Sequence, residues 1–124
     1  VLRVLADAGA PDRVVFHSFS ADAAVARIAV ARGYILSFSG TVTFRNAPAL
    51  REALVEVPAN ALLVETDAPF LTPEPFRGQP NSSYLVPVTL RAMAQVRGVS
   101  VADLAAATTA TAERVYDIRV SAGD

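Results

Sequence analysis

The tightest constraint on this chain is the run Leu62-Leu63-Val64-Glu65-Thr66-Asp67-Ala68-Pro69-Phe70-Leu71-Thr72-Pro73, apolar at its start and punctuated by prolines. A short apolar run closed by Pro69 predicts a buried strand whose last residues leave the sheet, with Asp67 at its carboxyl end. Period-two alternation sets Leu63, Glu65 and Asp67 on one face and Val64 and Thr66 on the other. A buried carboxylate without a partner is strongly unfavourable, so a cation, a metal or several donors must face each of the two acids. Pro69, Pro73, Pro75 and Pro80, with Arg77-Gly78 among them, then form a stiff irregular loop.

Two similar strand candidates precede this run. Arg13-Val14-Val15-Phe16-His17 is β-branched and ends in the single histidine of the chain. Ser20 is the expected N-cap of an alanine-rich helix over 23–32, with Asp22 in its first turn and Gly33 as its stop. Tyr34-Ile35-Leu36-Ser37-Phe38 is the next strand, followed by a polar exit loop over 39–46. Leu50, Leu54 and Val57 then recur at i, i+4 and i+7, the stripe of a helix lying on a sheet over 47–57, and Pro58 ends it.

After the proline loop a helix is expected from Tyr84, with Leu85, Thr89, Ala92, Met93 and Val96 as its stripe and Gly98 as its stop. Ser100-Val101-Ala102-Asp103 reads as a capping box opening a last helix to about Tyr116, with Val101, Leu104 and Ala105 inward. The tail Ser121-Ala122-Gly123-Asp124 has nothing to pack with and is expected to be loose. At the other end, Val1 to Gly9 reads as the last turns of a helix without a cap before it, so the chain is expected to be part of a longer one. Strands alternating with helices of this length mean βαβ units and a parallel sheet.

Composition narrows the class. The 124 residues fit one domain, and 52% apolar against 19% charged suits strands covered on both faces. Eleven basic and twelve acidic residues leave no basic field, so affinity for phosphate must come from a local site. Without cysteine there are no disulfides and no thiolate metal sites, and without a bilayer-length apolar run no membrane partner is expected. A cytoplasmic location is the expectation.

Three strand exits converging on one rim would bring His17, the loop after Ser37 and Asp67 together. An imidazole and a carboxylate there suit a divalent metal such as zinc or manganese, with magnesium if more oxygens join. Other roles stay open on residue type alone. His17 also fits a satisfied structural group, and Asp67 before Ala68-Pro69 a turn acceptor. Glu65, deeper than Asp67, suits a group that orients a ligand from behind. Arg77 is a phosphate clamp or a solvated side chain, while Phe44 and Arg45 either meet a substrate or, for Phe44, cover the core. Two ligands do not hold a catalytic metal alone.

With these residues in view, the chain resembles the TatD family of metal-dependent deoxyribonucleases, amidohydrolase-like (β/α)8 barrels. The matching text is Val15-Phe16-His17-Ser18-Phe19-Ser20, Ser37-Phe38-Ser39-Gly40-Thr41-Val42-Thr43-Phe44, the run from Leu62 to Pro73, and Arg77-Gly78 followed by Asn81. The resemblance implies a two-metal hydrolase (magnesium, manganese or zinc) that takes DNA as its substrate and cleaves its phosphodiester bonds. His17 matches a histidine ligand of one metal, and Asp67 matches the aspartate that binds the other and handles the attacking water.

The candidate site is therefore Asp67 as catalytic residue, His17 and Asp67 as metal ligands, Glu65 behind them, and Arg77, Arg45 and Asn81 as substrate contacts. A barrel of this class needs about 250 residues. Residues 1–124 are accordingly expected to be its carboxyl-terminal half, a partial TIM-type α/β barrel of about three strands. The family's first-strand His-x-His pair, its bridging glutamate and another histidine would lie in the other half, leaving the metal site incomplete here.

Two departures stand out. Asn81-Ser82-Ser83 replaces the family's Asn-Glu-Pro, and Thr109-Ala110-Thr111-Ala112 replaces a Thr-x-Asn-Ala-like segment taken as a helix start. The competing functions are an amidohydrolase-like hydrolase of a small amide or ester, and a catalytically inactive fragment or binding module. An uncovered inner sheet face and an open strand edge lead to one further expectation, self-association or poor stability of the isolated chain.

Overall fold

The structure, a computed structural model, describes residues 1–119 and 121, so most of the tail expected to be loose lies outside the described residues. In chain order the elements are α1 (Leu2–Ala8), β1 (Val15–Phe16), α2 (Ala23–Ala31), β2 (Ile35–Phe38), α3 (Pro48–Glu56), β3 (Leu62–Val64), α4 (Val86–Arg97) and α5 (Val101–Tyr116). Single turns of 3-10 helix occupy Gly40–Thr43, Ala59–Ala61 and Ser83–Leu85. The longest helix, α5, has 16 residues, and among the described residues no helix is long and apolar enough to cross a membrane.

The strands form one parallel sheet in the order β1-β2-β3, with Val15 opposite Ile35, Phe16 opposite Leu36, and Leu36, Ser37 and Phe38 opposite Leu62, Leu63 and Val64. Parallel neighbours need a crossover, and α2 and α3 supply the two. This is the α/β architecture of a partial (β/α)8 barrel. One face carries Leu36, Phe38 and Leu62, all fully buried against helices whose inward residues include Ala29, Leu54 and Met93. Phe38 also meets Phe19 at 5.5 Å between ring centroids, which seals the exit of β1 against β2.

Several boundaries differ from expectation. β1 pairs over Val15–Phe16 only, because His17 and Ser18 turn away, Ser18 with φ 47°. Asp22, not Ser20, caps α2, its carboxylate accepting from the Val25 N–H at 3.0 Å; the cap must adjoin the first helical residue, and an anion there also meets the helix dipole. Ser100 caps α5 as expected, accepting from the Asp103 N–H at 3.0 Å, but Val101 is 43% exposed because the helix turns Leu104 and Thr108 inward instead. The segment Thr109–Ala112 lies in the middle of α5, where Thr111 is fully buried, and so is not a helix start.

The inner face of the sheet is better covered than expected. Ile35, Ser37 and Leu63 are 9%, 4% and 5% exposed. Strands of two to four residues offer little face, and Arg114 and Val115 of α5 line one cavity with Ile35. α5 runs beneath the amino ends of the strands: Thr111 donates to the Ala59 carbonyl at 3.3 Å, Arg114 to that of Asn60, and Arg13 donates to the Val115 carbonyl at 2.9 Å. The opposite end is left to the loops.

Candidate metal centre at the carboxyl ends of the strands

The register that aligns Val15 with Ile35 and Ser37 with Leu63 carries one face from β1 through β2 to β3. Extended past the strand ends, that face presents His17 from the first and Glu65 from the third. Glu65 is still tied to the sheet, its N–H donating to the Phe38 carbonyl at 3.0 Å, so its side chain inherits the strand's rigidity. Asp67 does not continue the strand. It sits at φ 60°, and this left-handed residue turns its carboxylate back over the sheet end.

Three side chains meet there. Glu65 Oε1 lies 2.7 Å from His17 Nδ1, and Asp67 Oδ1 lies 3.6 Å from His17 Nε2. One ligand atom from each residue falls within 4.8 Å of the others, the spacing of a metal's ligand shell. Glu65 and Asp67 are largely shielded, their side chains 17% and 33% exposed, whereas His17 is 67% exposed and faces the approach. His17 also lines an open cavity of about 460 Å³ with Phe16, Ser18 and Val25.

The contact between Glu65 and His17 is close but misaligned, for Glu65 Oε1 is buried and accepts no hydrogen bond. A buried carboxylate oxygen with free lone pairs beside an imidazole nitrogen is a donor set short of its cation. The residues present therefore fit a divalent metal, with Glu65 against His17 Nδ1, where a carboxylate orients an imidazole or adds an oxygen donor. Alternation had put Glu65 and Asp67 on the same face; Asp67 before Ala68-Pro69 marks a turn, but not that the turn brings both carboxylates onto one imidazole.

The surrounding loops are braced by polar contacts. Asn81 is 4% exposed, and its amide donates to the carbonyls of Thr66 and Phe70, each at 2.7 Å, while its oxygen accepts from the Ser82 N–H. Both its amide N–H groups are thus spent on the loop that carries Asp67, and its burial leaves no surface for a substrate. Arg77 is exposed and stacks over Phe44, its guanidinium carbon 3.9 Å from the ring centroid. Arg45 is exposed in the loop after β2 and reaches neither carboxylate of the cluster. That loop is pinned by Arg51, which donates to the carbonyls of Val42 and Phe44 at 3.1 and 2.6 Å.

One bracing residue gave no chemical signal in the sequence. Gly40 packs so closely on the proline loop that a Cβ there would stand 2.2 Å from the Leu71 carbonyl oxygen and 2.9 Å from the Pro73 nitrogen. Next to it, Thr43 accepts from the Glu74 N–H at 2.8 Å. The exits of β2 and β3 are thereby locked together, which fixes where Asp67 points.

A parallel sheet with a His/Glu/Asp cluster at its carboxyl ends is the arrangement of barrel metallohydrolases. Comparison with known proteins is specific: the family model described as TatD related DNase matches residues 1–117, and the chain belongs to that family. A Mycobacterium tuberculosis protein named uncharacterized metal-dependent hydrolase TatD is 51% identical over 118 residues, covering 95% of this chain and 45% of the relative. The Escherichia coli K12 protein YcfH, also named an uncharacterized metal-dependent hydrolase, is 44% identical over 107 residues, 86% of this chain and 40% of that one. Among solved structures, the TatD homolog YJJV of Escherichia coli superposes with a TM-score of 0.88 at 26% identity over 95% of this chain and 46% of that one. The chain thus spans less than half the length of these relatives.

Proposed function

We propose that this chain forms part of a divalent-metal-dependent hydrolase of DNA phosphodiester bonds. The observation that carries the proposal is the convergence of His17, Glu65 and Asp67 at the carboxyl ends of parallel strands, with Glu65 Oε1 buried and unsatisfied. The family's description as a DNase supports DNA over other substrates. His17 supplies an imidazole nitrogen, Glu65 and Asp67 supply carboxylate oxygens, and two metals in the whole enzyme would draw their remaining ligands from outside these three residues. A divalent cation held there supplies Lewis acidity at a phosphoryl oxygen and brings the pKa of an attacking water down to about 7 in favourable cases.

The residues of this chain position the reaction. The Asp67 carboxylate, held by its left-handed backbone, stands at the rim where it can take a proton from the attacking water. Asn81 and Gly40 hold the loop that carries it. Arg77, stacked on Phe44 and free of any acidic partner among the described residues, and Arg45, exposed in the loop after β2, are the two guanidinium groups available to a phosphate. A cytoplasmic location and self-association through the open edge of β1 belong to the same proposal. The cysteine-free composition supports the first, and the absence of a second strand partner for β1 among the described residues supports the other.

The test is cleavage of a single-stranded oligonucleotide with manganese or magnesium present. Cleavage that EDTA stops and Asp67→Asn abolishes is the expected result. Hydrolysis of small esters without cleavage of DNA would transfer the site to amide or ester chemistry. Metal binding by calorimetry without hydrolysis of either would leave a binding module.

A further inference from the structure

Of the three strand exits, the one after β2 supplies no member of the cluster formed by His17, Glu65 and Asp67. Its first residue, Ser39, is nonetheless a fully buried polar group. Ser39 stands at the N-cap position of the 3-10 turn Gly40–Thr43, where a serine hydroxyl ordinarily accepts from a backbone N–H two or three residues on, yet its side chain makes no cap bond. The hydroxyl lies instead between two others, 3.1 Å from Thr41 Oγ1 and 3.4 Å from Ser18 Oγ. Withdrawn from water and from its own cap, it is spent on a contact with the neighbouring exit.

Ser18 follows His17 in the chain. β1 is paired only as far as Phe16, opposite Leu36, and the chain is next fixed at Phe19, whose N–H donates to the Ser37 carbonyl at 2.8 Å and whose ring meets Phe38. His17 and Ser18 thus form a two-residue arch between fixed points. Ser18 closes it with a left-handed φ of 47°, a conformation that disfavours any residue with a Cβ and that glycine adopts freely. What serine keeps there and glycine lacks is the hydroxyl that meets Ser39. The imidazole is 67% exposed, so packing alone does not aim it.

We propose that Ser39 is a positioning residue for His17: acting through the Ser18 hydroxyl, it holds the arch and so sets how the imidazole meets Glu65 and Asp67. The inference rests on the metal-centre reading above and deepens it, giving the exit of β2, which supplies none of the three, a part in placing one of them. Ser39 is extended, at φ −100° and ψ −174°, so it and the next residue face opposite sides. Ser39 turns to the exit of β1, and Gly40 packs on the loop after β3 at Leu71 and Pro73. One short turn thereby holds the histidine and the carboxylates at a fixed separation.

The chain has a single histidine, so every imidazole signal in a nuclear magnetic resonance spectrum belongs to His17. Three-bond couplings to its Cγ report the χ1 rotamer in the metal-free chain. One rotamer is expected in the natural chain and in Ser100→Ala, which loosens α5 at the far end of the sheet; averaged couplings are expected in Ser39→Ala and in Ser18→Ala. Manganese titration is the second readout. Each of the two arch variants should bind about tenfold more weakly, and the double variant no more weakly than either, because both substitutions break one link.

Averaged couplings in the natural chain, an unchanged rotamer in Ser39→Ala, or losses of affinity that add in the double variant overturn the positioning role. Averaging in Ser100→Ala as well would also overturn it, since any loss of stability would then suffice. Ser18→Ala, at a half-buried residue, carries the comparison if Ser39→Ala does not fold. The metal reading is judged apart: a natural chain that binds no manganese rejects it, and the rotamer still decides the role of Ser39.

Discussion

The two ends of the sheet are built from different materials. At the amino ends, α5 lies across the strands and is held by Leu104, Thr108 and Thr111, all buried, and by arginines that donate to exposed carbonyls. At the carboxyl ends there is no such helix; there are left-handed residues at Ser18, Asp67 and Leu71, a buried asparagine, a glycine in contact with backbone and a carboxylate oxygen without a hydrogen bond. α5 braces the amino ends, and the cluster of His17, Glu65 and Asp67 stands at the carboxyl ends. Since the same short strands connect the two, the stable end can support the strain of the reactive one without sharing its residues.

Substitutions at the two ends should therefore separate stability from metal binding. The largest effect is expected where the distinction breaks down. Gly40→Ala puts a Cβ 2.2 Å from the Leu71 oxygen, and since that oxygen is backbone the loop must move. A loss of about 3 kcal/mol in denaturant unfolding, together with weaker manganese binding, is expected. Retention of both would mean that the two exits are not locked together.

Next come the two carboxylates of the proposed metal site. Glu65→Gln and Asp67→Asn keep shape while removing charge, and each should weaken divalent-metal binding by ten- to a hundredfold in calorimetry. Neither should lower the unfolding midpoint, because the charges removed are not what holds the sheet. A fall in stability as large as the fall in metal affinity would show Glu65 to be structural.

The amino end should behave in the opposite way. Ser100→Ala removes the hydroxyl that accepts from Asp103 and should cost about 1 kcal/mol of stability, with metal affinity untouched. Smallest of all is Arg13→Ala. Its ion pair with Asp117 at 2.8 Å is more than half exposed at both partners, so less than about 1 kcal/mol is expected. A larger loss would assign the effect to its bond with the Val115 carbonyl and to the seating of α5.

Much of this division is visible in the order of residues, though unevenly. Leu50, Leu54 and Val57 announce a helix against a sheet, and all three are buried. Gly98 announces a helix end and adopts φ 66°. Local spacing suffices for such features because each depends on the chain's immediate neighbours. Val101, by contrast, satisfies the capping pattern but points outward, since the direction of α5 is set by its contacts with Ala59 and Asn60, about fifty positions away in sequence.

The site divides along the same line. His17, Glu65 and Asp67 can be picked out as chemically expensive residues at strand ends, and the family text around them is long. Asn81 reads as a substrate contact until its burial and its bonds to Thr66 and Phe70 are seen.

By itself the sequence determined the alternation of strand and helix, the polarity of the sheet and the residue types available at its rim, because these follow from periodicity and from the high cost of burying charge. Only the tertiary structure decided that Asp67 turns back through a left-handed backbone, that Glu65 reaches the imidazole, and that Gly40 welds two exits together. Those outcomes depend on atoms from distant segments arriving at one place, and no local pattern encodes how closely they approach.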